Sequence, residues 1–344
     1  MKIMQRLALI ARIIAAPTLR AWDYEGHRMV NQLALAALPE DFPGFVHEPE
    51  TAERIAFLSG EPDRWRNNAD LPIKHYNALD HYLDLEQLEW AGLDPKHVSD
   101  LRYAFVVDFA IGRAAHADKF PAINPARNKD RTREWPGLLP WAITEYYGKL
   151  KSAFSYLKTY ETAGGTPEEI ANAKANIVYL MGVMGHYVGD GAQPLHTSIH
   201  HNGWEGENPQ EYTKWRGIHA WIDGGFIGQA GITTESLRAR VNLAVPLNVS
   251  PRTDGRDPVF VATMDYIEAQ NALVEPLYAL DKERAFKIDG ENDTAQGRVF
   301  IENQLVKGGE MLAAIWTTAW RHTTVDKYLT DQLSKRAAAR STGN

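Results

Sequence analysis

The chain has 344 residues, 44% of them apolar, and a formal net charge of −7 at pH 7. This length can bury a large core in one or two domains, whereas the acidic balance excludes binding of duplex nucleic acid through a broad basic face. The absence of cysteine excludes disulfides, thiolate zinc sites and thiol nucleophiles.

Residues 1–21 are predicted to be a secretory leader, which would make the protein secreted or periplasmic. Lys2 and Arg6 precede the apolar run LALIARIIAA, and the predicted cleavage point follows Ala21. Arg12 interrupts the apolar run, and Leu19 lies where a small residue is preferred. A short amphipathic helix and a misplaced start codon are therefore the alternatives. No later apolar run is long enough to predict a membrane span.

The rest of the chain is predicted to be all-α. Apolar residues recur at helical spacing in 29–38, 51–58 and 137–160, and convincing alternating strands are absent. Two more packing helices are predicted from DPVFVATMDYIEAQNALVEPLYAL and FIENQLVKGGEMLAAIWTTAWRHT. No repeat or linker divides the chain, so we expect one large helical domain over residues 22–330 and a frayed tail over 331–344.

The start of one helix is marked by the run Thr166-Pro167-Glu168-Glu169, which combines an N-cap, a proline at the first helical position and a capping box. This helix is predicted to continue through NAKANIVYLMGVMGHYV, so that its last turn carries His186 and leads to Asp190. Pro194 then forces the chain out of the helix and leaves His196 just past the turn.

The segments GHYVGDGAQPLHTSIHH and GIHAWID concentrate residues that bind metals. His186 and Asp190 are four residues apart, as are His219 and Asp223, and residues at this spacing share a helix face with Cβ atoms roughly 5–6 Å apart. His196 lies between the two pairs. Imidazole nitrogens and carboxylate oxygens are ligands suited to zinc, so these segments predict a metal site.

Candidate partners for this site lie upstream. AWDYEGHRMV places Trp22 at the predicted cleavage point and His27 five residues later. GEPDRWRN offers Asp63 and, three residues on, Arg66, and DHYLDLE offers His81.

Taken in this order, the motifs resemble those of the zinc-dependent nucleases specific for single strands (the S-one/P-one type), which share a helical fold with bacterial zinc phospholipases C. The resemblance extends from Trp22 to Asp223. It implies an all-α domain of the phospholipase C/single-strand nuclease type with a trinuclear zinc site in a cleft.

The resemblance implies three Zn²⁺ ions as cofactors. The first zinc would be held by Asp63, His81, His186 and Asp190, the second by the α-amino nitrogen and carbonyl oxygen of Trp22 with His27 and Asp190, and the third by His196, His219 and Asp223. Two metals about 3.5–4 Å apart can share a hydroxide nucleophile while a third binds phosphate oxygens. Such a pocket would be cationic even in an acidic protein.

The resemblance also assigns roles in the reaction. Asp63, Arg66 and Asp190 are the predicted catalytic residues, with Arg66 steadying the phosphate in the transition state. Tyr82 and Asp84 resemble a pair that stacks on a nucleobase and hydrogen-bonds it. Because only unpaired bases are free to stack in this way, the pair would favour single strands.

Several residues have alternative interpretations. These are a core position for Tyr82, orientation of the His81 imidazole by Asp84, ion pairing with an acidic neighbour for Arg66, a helix cap for Asp63 and an ordinary core position for Trp22. His75 competes with His81 as a ligand, but only His81 is followed by Tyr-Leu-Asp. His200 and His201 are expected in a solvated loop, with binding of a stray metal as the alternative. The remaining histidines are expected to be packed or on the surface: His47, His97, His116 and His322.

The predicted function is a secreted zinc-dependent phosphodiesterase that hydrolyses single-stranded DNA or RNA, and the resemblance also implies removal of terminal 3′-phosphates. Single-stranded nucleic acid or nucleotides would be its substrates, and no stable protein partner is implied. Two alternatives remain: a zinc-dependent phospholipase C acting on phospholipid head groups, and a non-catalytic zinc-binding protein. The last motif ends in Asp223, where the phospholipases resemble one another in using glutamate, and the loop before it is polar, which favours the nuclease.

Overall fold

The structure is a computed structural model that describes residues 22–342. The predicted leader, residues 1–21, lies outside the described residues. Within 22–342 the chain is helical almost throughout, and β pairing is limited to two isolated bridges, Leu83 with Gly137 and His201 with Gly203. The predicted all-α class is confirmed.

The α-helices vary in length from three residues in the shortest to 27 in the longest. In order, they are α1 Tyr24–Ala36, α2 Pro49–Leu58, α3 Glu61–Arg66, α4 Leu71–Ala78, α5 Leu85–Trp90, α6 Arg102–Ala115, α7 Leu139–Ala163, α8 Pro167–Ala192, α9 Ile218–Ala220, α10 Phe226–Ala230, α11 Thr234–Arg238, α12 Pro258–Asn271, α13 Val274–Lys282, α14 Ala295–Arg321 and α15 Lys327–Thr342. Short 3₁₀ turns occur at Gly44–His47, Leu79–His81, Ala117–Lys119, Pro125–Arg127, Thr132–Glu134 and Pro194–Thr197, and a π-helical turn at Trp221–Gly225.

Helix α8 is the centre of the fold, because α1, α2, α7 and α14 all pack against it. Its second half, Met181–Ala192, is buried on every side. A helix without a solvated face must be covered all round, and glycines in this half allow its neighbours to come close. At Gly189, an added Cβ would lie 2.9 Å from Nδ1 of His27 on α1. The metal-binding residues of α8 are therefore placed in the core of the domain.

The predicted start of α8 is confirmed. The Thr166 hydroxyl accepts a hydrogen bond from the Glu169 backbone N–H at 3.3 Å, and the Glu169 carboxylate accepts one from the Thr166 N–H at 2.8 Å. These two bonds satisfy N–H groups that have no partner within the helix.

The structure differs from the sequence prediction in two places near the C-terminus. One predicted helix is divided into α12 and α13, because Pro276 lies in the first turn of α13 and could not donate an amide hydrogen bond inside a continuous helix. The tail predicted to fray from residue 331 is helical to Thr342. There, Leu333 is buried and Arg336 forms an ion pair with Glu169 at 2.7 Å, which ties α15 to the start of α8.

Among the described residues, no helix combines the length and the apolarity that crossing a membrane requires.

Candidate metal centre

Asp190, near the end of α8, is fully buried and lies among four imidazoles. Its Oδ2 lies 3.0 Å from Nδ1 of His81 and 3.3 Å from Nε2 of His186. Its Oδ1 lies 3.5 Å from Nε2 of His27 and 3.6 Å from Nδ1 of His196. The four histidines come from α1, the turn Leu79–His81, α8 and the turn Pro194–Thr197. The fold thus brings distant sequence motifs to one carboxylate.

A first group of potential ligands consists of Asp63, His81 and His186. His186 Nδ1 lies 2.7 Å from the carbonyl oxygen of Ser59, which only accepts, so Nδ1 carries a proton and Nε2 is the nitrogen that can bind a metal. This Nε2 lies 2.9 Å from Nδ1 of His81 and 3.9 Å from Oδ1 of Asp63. Since Nε2 of His81 has no hydrogen-bond partner, this group leaves a polar atom unsatisfied whichever tautomer His81 adopts.

A second group consists of His27, His186 and Asp190. The His27 ring stacks on the His186 ring with centroids 3.8 Å apart, and neither of its nitrogens has a hydrogen-bond partner. Trp22 is fully buried beside this group, and its indole N–H donates to the carbonyl oxygen of Gly189 at 2.7 Å. Trp22 therefore occupies a core position, adjacent to the group in which the resemblance would place it.

A third group consists of His196, His219 and Asp223. His219 Nε2 lies 2.9 Å from Oδ2 of Asp223, and the helical run over α9 and the π-helical turn brings these two residues to one face. His196 donates from Nδ1 to the carbonyl oxygen of His81 at 2.5 Å, which leaves its buried Nε2 as an acceptor without a partner. Gln193 donates to the other oxygen of Asp223 at 2.5 Å.

Burial sets the protonation of these groups. Burial is the largest cause that lowers the pKa of His81 and of His219, each to about 3, and the charge of Arg66 acts in the same direction. Burial likewise raises the pKa of Asp223 well above its usual value. It would also raise the pKa of Asp190, but the imidazoles, His186 first, outweigh it and hold that pKa well below its usual value. The imidazoles of His81 and His219 are therefore neutral at neutral pH, whereas for His186 burial is outweighed by the charge of Asp190, which raises the pKa of that ring.

The residues fit metal ions. Eight buried polar atoms in these groups make no hydrogen bond: Nδ1 and Nε2 of His27, Oδ1 of Asp63, Nε2 of His81, Oδ1 of Asp190, Nε2 of His196, Nε2 of His219 and Oδ2 of Asp223. Several of them are within ion-pair distance of a partner: Oδ1 of Asp63 with Arg66, Nε2 of His219 with Oδ2 of Asp223, and Nε2 of His27 with Oδ1 of Asp190. An unsatisfied buried polar atom costs about 1–3 kcal/mol. Tetrahedral zinc with bonds of about 2.0–2.1 Å places its ligand atoms roughly 3.3 Å apart, and the donor–donor distances of 2.9–3.9 Å in the first group bracket this value.

Arg66 and the predicted base-binding pair lie around the first group. The Arg66 Nε lies 2.7 Å from Oδ1 of Asp63, so the acidic neighbour considered in the sequence analysis is present and is itself a predicted ligand. Tyr82 is half-buried against the core. Asp84 is buried and accepts a hydrogen bond from Gln87 at 2.7 Å, and burial raises its pKa to about 8.

Other histidines differ in their proximity to the groups. His75 donates from Nδ1 to the carbonyl oxygen of Asp130 at 2.6 Å and belongs to none of the three groups. His200 stacks on Trp204 with ring centroids 3.8 Å apart. His201 is only partly exposed, and its ring lies 6.3 Å from that of His219.

Sequence reasoning missed two positioning contacts, those of Ser59 with His186 and of Gln193 with Asp223. Ser59 contributes a backbone carbonyl, which no side-chain pattern can indicate. Gln193 lies between Asp190 and Pro194 at the C-cap of α8, and that place next to two predicted features was the available signal.

The chain thus has an all-α fold whose core holds several buried His/Asp groups that could bind metal ions. Comparisons with protein-family models and with curated proteins found no match. The resemblance to the single-strand nucleases therefore depends on the residues themselves.

Proposed function

We propose that the protein is a secreted zinc-dependent phosphodiesterase that hydrolyses single-stranded DNA or RNA, with three zinc ions as cofactors. One observation supports this most directly. The Oδ2 of Asp190 lies beside the imidazoles of His81 and His186, and its Oδ1 lies beside that of His27, so that a single carboxylate contacts ligands of both the first and the second group. A shared carboxylate is a common bridge in sites that hold two metals and act on phosphate esters.

Zinc bound in these groups would polarise the phosphodiester and supply a nucleophile at neutral pH. The protein's own contribution is to hold the ligands still. His186 and His196 are each fixed by donation to a backbone carbonyl, which sets the tautomer and the ring plane. Burial keeps water from competing with these contacts.

Arg66 would bind the phosphate of the substrate. Its side chain is partly exposed and its charge is near enough to lower the pKa of His81 and His219, after burial as the main cause. A guanidinium offers parallel N–H donors that match two phosphate oxygens. In this proposal Arg66 exchanges part of its contact with Asp63 for the phosphate.

The base would bind at Tyr82 and Asp84. The half-buried Tyr82 ring offers a stacking surface, and the buried Oδ1 of Asp84 has no hydrogen-bond partner among the described residues. The pKa of about 8 for Asp84 keeps its carboxyl group largely protonated at neutral pH, where it can donate one hydrogen bond to a base and accept another. Only an unpaired base can enter such a site.

One observation favours the phospholipase C alternative. Helix α4 follows the helix that carries Asp63 and Arg66, and three of its apolar side chains are exposed: Leu71, Ile73 and Tyr76, the last by 74%. An apolar rim near the site is what an enzyme acting at a lipid surface would need.

The test is hydrolysis of denatured DNA and of choline-phospholipid vesicles by the zinc-loaded protein, with and without chelator. We expect cleavage of denatured DNA that the chelator abolishes and zinc restores, with duplex DNA cut far more slowly. Cleavage of the vesicles alone would support the phospholipase. Full zinc occupancy with turnover of neither substrate would contradict both and leave a zinc-binding protein. Arg66→Gln is the variant to compare with the parent in these assays, because it removes the predicted phosphate contact and leaves all the predicted zinc ligands in place.

A further inference from the structure

A short basic loop, residues 124–134, lies beside the metal centre. It contains four basic and two acidic residues in a chain whose net charge is −7. Such a concentration of positive charge is unexpected in an acidic protein and indicates attraction of an anion at this place.

The loop has a fixed shape. Asn128 is buried, and its side chain accepts a hydrogen bond from the backbone N–H of Arg133 at 3.0 Å and donates one to Glu134 at 3.0 Å. His75 donates to the carbonyl oxygen of Asp130 at 2.6 Å. These contacts hold the basic side chains on an ordered backbone, so that binding an anion would require little reorganisation.

The loop is also joined to the candidate base-binding pair. Immediately after it, the carbonyl oxygen of Pro136 accepts a hydrogen bond from the N–H of Asp84 at 2.7 Å, and Gly137 pairs with Leu83. An added Cβ at Gly137 would collide with the Tyr82 backbone, so the two segments are in direct contact. The basic loop therefore lies at the edge of the proposed substrate site.

Three of its four cations are available for a ligand. Arg131 pairs with Glu134, and the acid Asp130 is occupied by Lys74 at 3.4 Å. The remaining exposed cations have no ion pair with any residue in 22–342; they are Arg127, Lys129 and Arg133.

Of these three cations, Arg133 is the nearest in sequence to Pro136 and Gly137, the residues that contact Asp84 and Tyr82. Burial chiefly raises the pKa of the Tyr82 phenol, and both Arg133 and Arg66 oppose that rise, so the two guanidinium groups act on the same ring. Burial also lowers the pKa of His201 to about 4, with His219 next and Arg133 a smaller cause. The Tyr82 phenol thus interacts electrostatically with two arginines, Arg66 at the metal centre and Arg133 in the loop.

We propose that the basic loop is a second phosphate-binding site, in which Arg133 binds the phosphodiester next to the one being hydrolysed and Lys129 and Arg127 attract the strand beyond it. The ligand is the backbone of a single-stranded polynucleotide. This inference rests on the proposed nuclease function and adds to it a preference for chains over isolated nucleotides. The metal centre alone would not distinguish polynucleotide chains from isolated nucleotides.

The test compares a dinucleoside monophosphate, which has only the scissile phosphate, with a single-stranded oligonucleotide of about twelve nucleotides. For Arg133→Gln we expect kcat/KM on the oligonucleotide to fall by about tenfold, as for loss of one charge-assisted contact, and the loss to shrink as the substrate is shortened. The slope of log kcat/KM against log salt concentration should become shallower by about 0.7. Arg133→Lys should recover part of both effects.

Lys335→Gln is the matched control. Lys335 is exposed on α15, which is tied to the start of α8 at Glu169, roughly 25 Å along that helix from His186. The substitution Lys335→Gln also removes one positive charge. The dependence of kcat/KM on substrate length and on salt concentration should be the same in this variant as in the parent. Equal losses on both substrates, or an unchanged salt slope, would overturn the role of the loop.

If the zinc-loaded parent cleaves neither nucleic acid, the nuclease proposal itself fails. If the parent cleaves nucleic acid but Arg133→Gln behaves like Lys335→Gln, only the proposed role of the loop fails.

Discussion

His196 donates a hydrogen bond to His81, and together with a second bond from Leu83 this contact couples the third group of ligands to the first. The Nδ1–H of His196 donates to the carbonyl oxygen of His81 at 2.5 Å, and the carbonyl oxygen of His196 accepts from the N–H of Leu83 at 2.9 Å. These bonds fix the distance between the two groups through backbone atoms. Any metal ions held on either side would therefore keep a constant separation.

Asp190→Asn should remove metal from two groups and leave the third. The amide keeps the volume of the carboxylate but loses its charge, and Asp190 contacts ligands of both the first and the second group. We expect the variant to lose about two of the three proposed zinc ions and to lose hydrolysis by roughly 10²-fold or more. Elemental analysis after gel filtration measures this. Asp265→Asn, an exposed change on α12, should keep the parent's zinc content. Full zinc content in Asp190→Asn would refute the shared carboxylate.

The all-α class and the part of the candidate site that contains His186 and Asp190 could be predicted from the sequence because their signals are local. The spacing of His186 and Asp190 and the capping box at Thr166 each depend only on neighbouring residues. The contacts of Ser59 and Gln193 with the ligands were not predictable in this way, because they arise where separate segments meet in space. The helical tail escaped prediction for the same reason, since its order depends on Glu169, far away in sequence.

Gly185→Ala should destabilise the domain. A Cβ at this position in α8 would overlap the side chain of Asn31, which is buried and donates to the carbonyl oxygens of Ile55 and Gly182. Overpacking of this kind typically costs about 1–3 kcal/mol in the free energy of unfolding. The matched control is Gly148→Ala in α7, where nothing lies within 4 Å of the added Cβ and alanine should stabilise the helix by about 0.5–1 kcal/mol. Urea unfolding would measure the free energy of unfolding of both variants. Equal values would show that α8 can shift away from Asn31 to make room for the added Cβ.

Asp84→Asn should flatten the pH dependence of stability of the metal-free protein. Burial raises the pKa of Asp84 from 3.8 to about 8, so between these values the folded protein binds a proton that the unfolded chain has released. Asp84 therefore stabilises the fold at low pH, and this contribution is lost as the pH rises towards about 8, by up to roughly 1.4 kcal/mol per pH unit. Denaturant unfolding from pH 4 to 8 in the presence of chelator would detect it. If the free energy of unfolding changed with pH in parallel for Asp84→Asn and the parent, the raised pKa of Asp84 would be contradicted.

The form of the protein that begins at Trp22 should bind one zinc more than the uncleaved form. The N–H of Asp23 donates to the carbonyl oxygen of Asp223 at 3.0 Å, and the buried Trp22 indole is bonded to Gly189, so the chain at this point is held beside His27. A free α-amino group on Trp22 adds a nitrogen donor there, whereas an amide nitrogen has no lone pair to offer a metal. A form that begins at Ala21 is the decisive control, because it also has a free amine but displaced by one residue. We expect it to match the uncleaved form in zinc content and activity. Equal zinc in all three forms would show that the terminus takes no part in the site.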